Sequence, residues 1–343
     1  MKFSRLVQVV LQLTALGVAL GTGRLAAAPN EGFLGRWALT LPNGAAGWLE
    51  IKKEKGYYDG SILWGGGSVL PVSSVVIADD TLIVTRTNDV PRKDASGKVV
   101  RTQQFTEAIT AKLAEGNDLK LTRLAPKTNG TGYDSTEFTG KRIPALPPRP
   151  DLAKVKFGAP VTLFNGKDLA GWRIKEPNGE NAWTVESGVL SNRPPKHEAG
   201  QPVKHTANLR TDAEFEDFNL KLEVSVPAGS NSGVYLRGIY EIQVFDSYGK
   251  ELDSHNMGAL YSRITPSVAA EKPAGEWQTL DITLVDRHVT VVLNGTKIID
   301  NQPIMGCTGG AMWSDEFKPG PIYLQGDHGA VSYRNIVLKP VVK

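Results

Sequence analysis

Phe218-Asn219-Leu220-Lys221-Leu222-Glu223-Val224 places an apolar side chain at every second position with a polar one between. Side chains of an extended chain alternate between two faces, so a period of two makes a strand with one buried face. Leu280-Asp281-Ile282-Thr283-Leu284 repeats the pattern. Val289, Val291 and Leu293 run into Asn294-Gly295, the dipeptide of a two-residue hairpin turn, and Lys297-Ile298-Ile299 returns. Helical spacing is nearly absent. Many half-buried strands of this kind predict a two-sheet jelly-roll sandwich over residues 160–343, one sheet of which is often bent so that its outer face makes a groove.

Working outward, Pro144, Pro147, Pro148, Pro150 and Pro160 crowd into one short stretch, which predicts a linker at 146–159. Before it, Trp48-Leu49-Glu50-Ile51-Lys52 and Asp118-Leu119-Lys120-Leu121-Thr122-Arg123 alternate. Turn signals recur at Pro42-Asn43-Gly44, Asp59-Gly60, Gly65-Gly66-Gly67 and Asn129-Gly130. Residues 29–145 therefore read as a small antiparallel β-barrel or sandwich, and the whole chain as all-β. Trp37, Trp48 and Trp64 could stack on sugar rings or fill this unit's core; the second reading is favoured, because large aromatics dominate small β cores.

Composition agrees. The 343 residues include 36 glycines and 21 prolines, a turn-rich balance, and 22% charged with 41% hydrophobic residues is globular. Cys307 is the sole cysteine, which excludes an internal disulfide and a cysteine zinc cage. No glycine-rich nucleotide loop, nucleophile elbow or helically spaced histidine pair is present. Residues 1–28 have the layout of a secretory signal: Lys2 and Arg5, a mostly apolar run, then Ala26-Ala27-Ala28. The run is short and impure for a membrane span. The segment holds three cations, Lys2, Arg5 and Arg24, and no acid, so the whole formal net charge of +3 belongs to it. The expectation is a periplasmic or secreted protein, with no nucleic-acid partner and no membrane contact after cleavage.

The stretch richest in chemistry is 231–246. Val234 and Leu236 would share one face with Ile242 and Val244 of the next strand. Tyr235, Arg237, Glu241 and Gln243 would share the other, wet face. Such a set suits a polyol, or is merely a cross-strand Arg–Glu pair. Near the end, Tyr323 and Gln325 alternate with Ile322 and Leu324, and Gly326-Asp327-His328-Gly329 follows. Glycines on both sides would let the backbone expose Asp327 and His328. His255, in Asp253-Ser254-His255-Asn256, is a second candidate histidine, and Arg334 lies in the last polar cluster.

Several ordered stretches carry a resemblance. They are Leu163-Phe164-Asn165-Gly166-Lys167-Asp168-Leu169-Ala170-Gly171-Trp172, Asn231-Ser232-Gly233-Val234-Tyr235-Leu236-Arg237-Gly238, Tyr240-Glu241-Ile242-Gln243-Val244, Gly258-Ala259-Leu260-Tyr261, Gly275-Glu276-Trp277, and Gly320-Pro321-Ile322-Tyr323-Leu324-Gln325 with Asp327-His328-Gly329. Over roughly 180 residues the C-terminal part resembles the 3-keto-disaccharide hydrolase domain family; Gly326, between Gln325 and Asp327, is extra to the usual pattern. The resemblance implies a concanavalin-A-like jelly roll acting on 3-keto-glycosides. A ketone at C3 acidifies the C2 proton. A base removes it, the enolate expels the group on C1, and hydration completes a net hydrolysis. The expected base is His328 or Glu241, with Arg237 at the enolate. Tyr261, Gln243 and Gln325 would bind hydroxyls, with Tyr235, His255 and Arg334 as further sugar contacts, and Asp246 or Asp327 orienting a partner. A divalent metal could serve at the enolate instead. A retaining glucanase on the same fold needs a second carboxylate where Phe245 stands. A rival of another class is a lectin-like module that binds glycans without chemistry.

Overall fold

The structure, a computed structural model, describes residues 31–195 and 206–342; the expected export segment 1–28 lies outside the described residues. Apart from two short 3-10 turns, the regular structure among them is all β. Nine antiparallel strands make the first sheet. In spatial order they are Leu70–Pro71, Tyr58–Trp64, Ala46–Lys53, Gly35–Thr40, Tyr133–Ile143, Asp118–Pro126, Val99–Leu113, Thr81–Lys93 and Ser74–Ala78. The sheet curls until Ser74–Ala78 approaches Tyr58–Trp64, where a Cβ on Gly60 would lie 3.3 Å from Val75 Cγ2. Trp37, Leu39, Leu49, Ile51, Ile62, Leu82 and Leu121 fill the barrel so formed.

Asp59-Gly60 is not the turn its composition suggests: both lie inside the strand Tyr58–Trp64. The chain reverses just before, where the Glu54 amide donates to the Tyr57 carbonyl and Gly56 takes a φ of 95°. Gly60 serves another need. A Cβ there would lie 2.7 Å from the Glu50 carbonyl oxygen, so the glycine admits a close approach of backbones.

The strand Ala46–Lys53 is buried on both faces. Leu49 and Ile51 point into the barrel, whereas Ala46 and Trp48, with Ala38, Leu63 and Ile143, join the core of the following unit. Trp37 and Trp48 are core residues, and Trp64 is packed edge-on against Phe138.

The remainder is the expected sandwich. One sheet runs Trp183–Glu186, Val189–Asn192, Val331–Pro340, Phe218–Ser225, Gln278–Val285, His288–Leu293, Thr296–Pro303, with Val161–Thr162 beside Val331–Pro340. The other runs Trp172–Ile174, Leu209–Thr211, Tyr323–Leu324, Asn231–Leu236, Tyr240–Phe245. Asn294 and Gly295 both take positive φ, 51° and 82°, as the hairpin dipeptide requires. Between the sheets lie Leu220, Leu222, Val234, Leu236, Ile242, Val244, Ile282 and Val291. The proline-rich segment is pinned along this body: Arg287 donates to the Ala145 carbonyl at 2.7 Å and Asn301 to that of Pro150 at 2.8 Å.

Candidate active site

The site grows from the hairpin Asn231–Leu236/Tyr240–Phe245. Arg237 and Gly238 turn the chain with positive φ, 55° and 68°, and the Ile239 amide closes on the Leu236 carbonyl. This register sets Tyr235 opposite Glu241 and Gly233 opposite Gln243. Val234, Leu236, Ile242 and Val244 share the core face, as their alternation predicts. The opposite face is not wet. Tyr235, Glu241 and Gln243 are buried there, because two irregular segments cover it. The Gln243 amide donates to the Ala259 carbonyl, and the Glu241 amide to Thr308 Oγ1 at 2.9 Å.

Glu241 folds its carboxyl over Gly233, where a Cβ would come within 2.9 Å of Glu241 Cγ; only glycine leaves this space. The Tyr235 hydroxyl lies 2.8 Å from Glu241 Oε2 and 2.7 Å from the Gly309 carbonyl oxygen. A phenol has one hydrogen, and a carbonyl can only accept. The phenol can donate to only one of these acceptors at a time: to the ionised Glu241 carboxylate, or to Gly309 when a protonated Glu241 donates to the phenol oxygen. Burial pushes the Glu241 carboxyl up to about 8, against the opposing pull of the Tyr235 hydrogen bond and the nearby His328. Tyr323 stacks on Tyr235 at 4.2 Å, and burial raises both phenols well above their ordinary range.

His328 faces the same space. Its Nδ1 lies 2.7 Å from Asp327 Oδ1, and that hydrogen bond raises the imidazole above its ordinary value against the opposing effect of burial. Burial would raise Asp327, but the hydrogen bond and charge of His328 outweigh it and hold the carboxyl low. With Nδ1 donating to the carboxylate, the neutral ring keeps its lone pair on Nε2. The flanking glycines act by packing, since neither has a positive φ. A Cβ on Gly326 would meet the Trp183 indole at 2.9 Å, and the Gly326 carbonyl accepts from Asn192 and Thr206.

Glu241, Tyr235, Tyr323, Gln325, Asp327 and His328 line one cavity of about 320 Å³, at the small end of the ~300–1,000 Å³ usual for small-molecule sites. Tyr261 lines it too. So do residues the sequence did not single out: Lys175, Glu176, Asn208 and Asn231 from the sandwich, and Gly66 and Gly67 from the barrel. Lys175 Nζ is 2.5 Å from Glu176 Oε1, and Glu176 in turn accepts from the Asn208 side chain and amide. Nothing in the local pattern at 175–176 or 208 marks these residues, because they converge only through the pairing of Trp172–Ile174 with Leu209–Thr211.

Five expected site residues leave the cavity. Arg237 sits in the hairpin turn, buried, with its guanidinium spent on the carbonyls of Glu316 and Lys318 at 2.6 Å each. It is not among the residues that line the cavity. Gln243 is enclosed under the 257–261 segment. Asp246 accepts from the Gly229 amide and braces that turn. Arg334 pairs with Glu223 in the other sheet. His255 is held by Asp253 and by Ser68 Oγ, 2.8 Å from Nε2, and touches the site only through the edge of the Tyr261 ring. Among the described residues no group of three or more His, Cys, Asp or Glu side chains is placed to hold a metal ion, so no step is routed through one.

The model of the 3-keto-alpha-glucoside-1,2-lyase-like domain matches residues 159–339. A 3-keto-disaccharide hydrolase of Bacteroides thetaiotaomicron is 25% identical over 168 residues. The match spans 41% of this chain and 57% of that relative, little more than half its length. A solved structure from Parabacteroides distasonis, named as a glycosyl hydrolase, is 27% identical, covers 58% of this chain and 93% of its own, and superposes with a TM-score of 0.44. The kappa-carrageenase of Pseudoalteromonas carrageenovora, solved with an oligosaccharide, is 10% identical over 58% of this chain and 100% of its own, with a TM-score of 0.35.

Proposed function

The chain belongs to the 3-keto-alpha-glucoside-1,2-lyase-like family, and from that premise we propose that it cleaves 3-keto-glycosides by proton abstraction at C2 and elimination at C1. His328 is the base. Its Nε2 takes the C2 proton, and Asp327 steadies the imidazolium that forms. Electron density moves onto the C3 oxygen as an enolate, and the ammonium of Lys175 is the cation of the cavity that can face it. The C1–O bond then breaks, and Glu241 gives its proton to the departing oxygen. Water adds its hydroxyl to C1 and a proton returns to C2, which makes the net change a hydrolysis and resets both groups. Asn231 Oδ1 and Gln325 Oε1 are buried acceptors without a partner among the described residues, in side chains that line the cavity. Sugar hydroxyls would satisfy them.

One observation carries the reading: the buried Glu241 carboxyl and the His328 imidazole, its Nδ1 bound to Asp327, face one cavity. An enolate route needs one acid and one base, whereas a retaining glucanase of this fold needs a second carboxylate on the strand, where Phe245 stands. The test incubates the protein with a 3-keto-disaccharide and its unoxidised parent in deuterated water. Consumption of the keto sugar alone, with deuterium at C2 of the product, is expected. Cleavage of both sugars, or binding of both without turnover, would overturn the reading; the second result would assign a glycan-binding module.

A further inference from the structure

The residues that match the family begin at 159, yet the cavity is closed by a loop far outside them. Loop 65–68 joins Tyr58–Trp64 to Leu70–Pro71 at the tip of the barrel. Three contacts hold it on the sandwich. The Gly310 amide donates to the Gly65 carbonyl, Ser68 Oγ meets His255 Nε2 at 2.8 Å, and the Val69 amide donates to Ser262 Oγ at 2.9 Å. Gly309 packs so closely on the Gly67 backbone that a Cβ on it would lie 2.1 Å from the Gly67 carbonyl oxygen.

Gly309 also accepts from Tyr235, whose hydroxyl touches Glu241. An unbroken line thus runs from the Glu241 carboxyl through the phenol and Gly309 to Gly67. The acid of an elimination must lie beside the leaving oxygen, so the leaving group extends toward this line. Gly66 and Gly67 bring no side chain there. Both residues line the cavity, and the Gly66 amide has no acceptor among the described residues, whereas the Gly67 nitrogen lies against Gly309. Bare amides suit hydroxyls better than a flat apolar ring.

We propose that the glycine tip of the N-terminal barrel is the surface against which the leaving group rests, the Gly66 amide donating to that group's hydroxyls. The barrel is then the part of the chain that selects among glycosides, and Ser68 and His255 are positioning residues that hold its tip. This rests on the proposed direction of the elimination.

The test compares two 3-keto-glucosides on the full chain, one with glucose and one with methanol as leaving group. Gly66 has no positive φ and open space about its Cβ, so Gly66→Val fits the backbone. For the disaccharide, kcat/KM should fall about tenfold or more, chiefly through KM, while the methyl glycoside stays within about twofold. Ser68→Ala should show the same selectivity to a smaller degree. Equal losses for the two substrates, or none for either, overturn the proposal. If the parent chain cleaves neither substrate, the functional reading fails by itself. Calorimetric binding of the same pair then decides the tip's role: Gly66→Val must weaken the disaccharide alone, and an equal effect, or no binding by the parent, overturns it.

Discussion

At the residue scale, Glu241 and His328 divide the work because their surroundings treat their protons differently. Turnover needs His328 neutral and Glu241 protonated. The rate should therefore rise with pH through the raised His328 value, above 6.5, and fall again near 8, where Glu241 ionises. A pH profile of kcat/KM checks this; a flat profile from pH 6 to 9 would break the assignment. Glu241→Gln and His328→Ala should each cost about 100-fold or more in kcat. Stability should move the other way for Glu241→Gln. The folded carboxyl stays protonated up to about 8 while the unfolded one ionises near 4.5, so the stability this proton supports is fully present below 4.5 and is lost as pH rises toward 8. The variant escapes that loss, and its Tm relative to the parent should climb between pH 5 and 8. A constant difference across that range would show that Glu241 is ionised in the fold.

At the element scale, the hairpin 231–245 explains what its alternation conveyed. The period of two correctly set Val234, Leu236, Ile242 and Val244 against Tyr235, Glu241 and Gln243. It did not convey that the polar face is roofed over, because the roof comes from two irregular segments outside the hairpin, 257–261 and 306–313. Nor did it place Arg237, which the turn removes from the strand. Gly233 is the element's most exacting position. Gly233→Ala should displace the Glu241 carboxyl and reduce kcat far more than it reduces stability, since the methyl meets the end of a flexible side chain. Denaturation curves beside single-turnover rates would check it. A loss of stability with an unchanged rate would mean that the carboxyl's position over Gly233 is unimportant.

At the scale of the whole molecule, the outer face of the barrel joins the apolar core of the sandwich while the barrel keeps a core of its own. Trp48 of the barrel lies with Leu63 and Ile143 among sandwich residues, the Arg263 guanidinium sits 4.4 Å from its ring, and Gly306 leaves no space for a side chain beside it. Two units joined in this way should unfold together. A single transition is expected in denaturant, and Trp48→Ala should lower its midpoint at a cost of about 3–5 kcal/mol, the range for removing a buried large aromatic. Two separate transitions in the parent, with only the first moved by the substitution, would show that the shared core does not couple the units.

The sequence by itself determined the strands, the all-β class and the hairpin at Asn294-Gly295, and it marked Glu241, Asp327 and His328 as candidates that the structure places beside one cavity. Each of these follows from spacing over a few residues or from an ordered family pattern within one segment. The tertiary structure alone decided which polar residues share a cavity. It brought in Lys175, Asn208 and the glycine tip, and sent Arg237, Gln243, Asp246, His255 and Arg334 to bracing roles. The reason is geometric: alternation tells which face a side chain takes, but whether that face opens on solvent, a cavity or another layer depends on chain segments outside the strand itself.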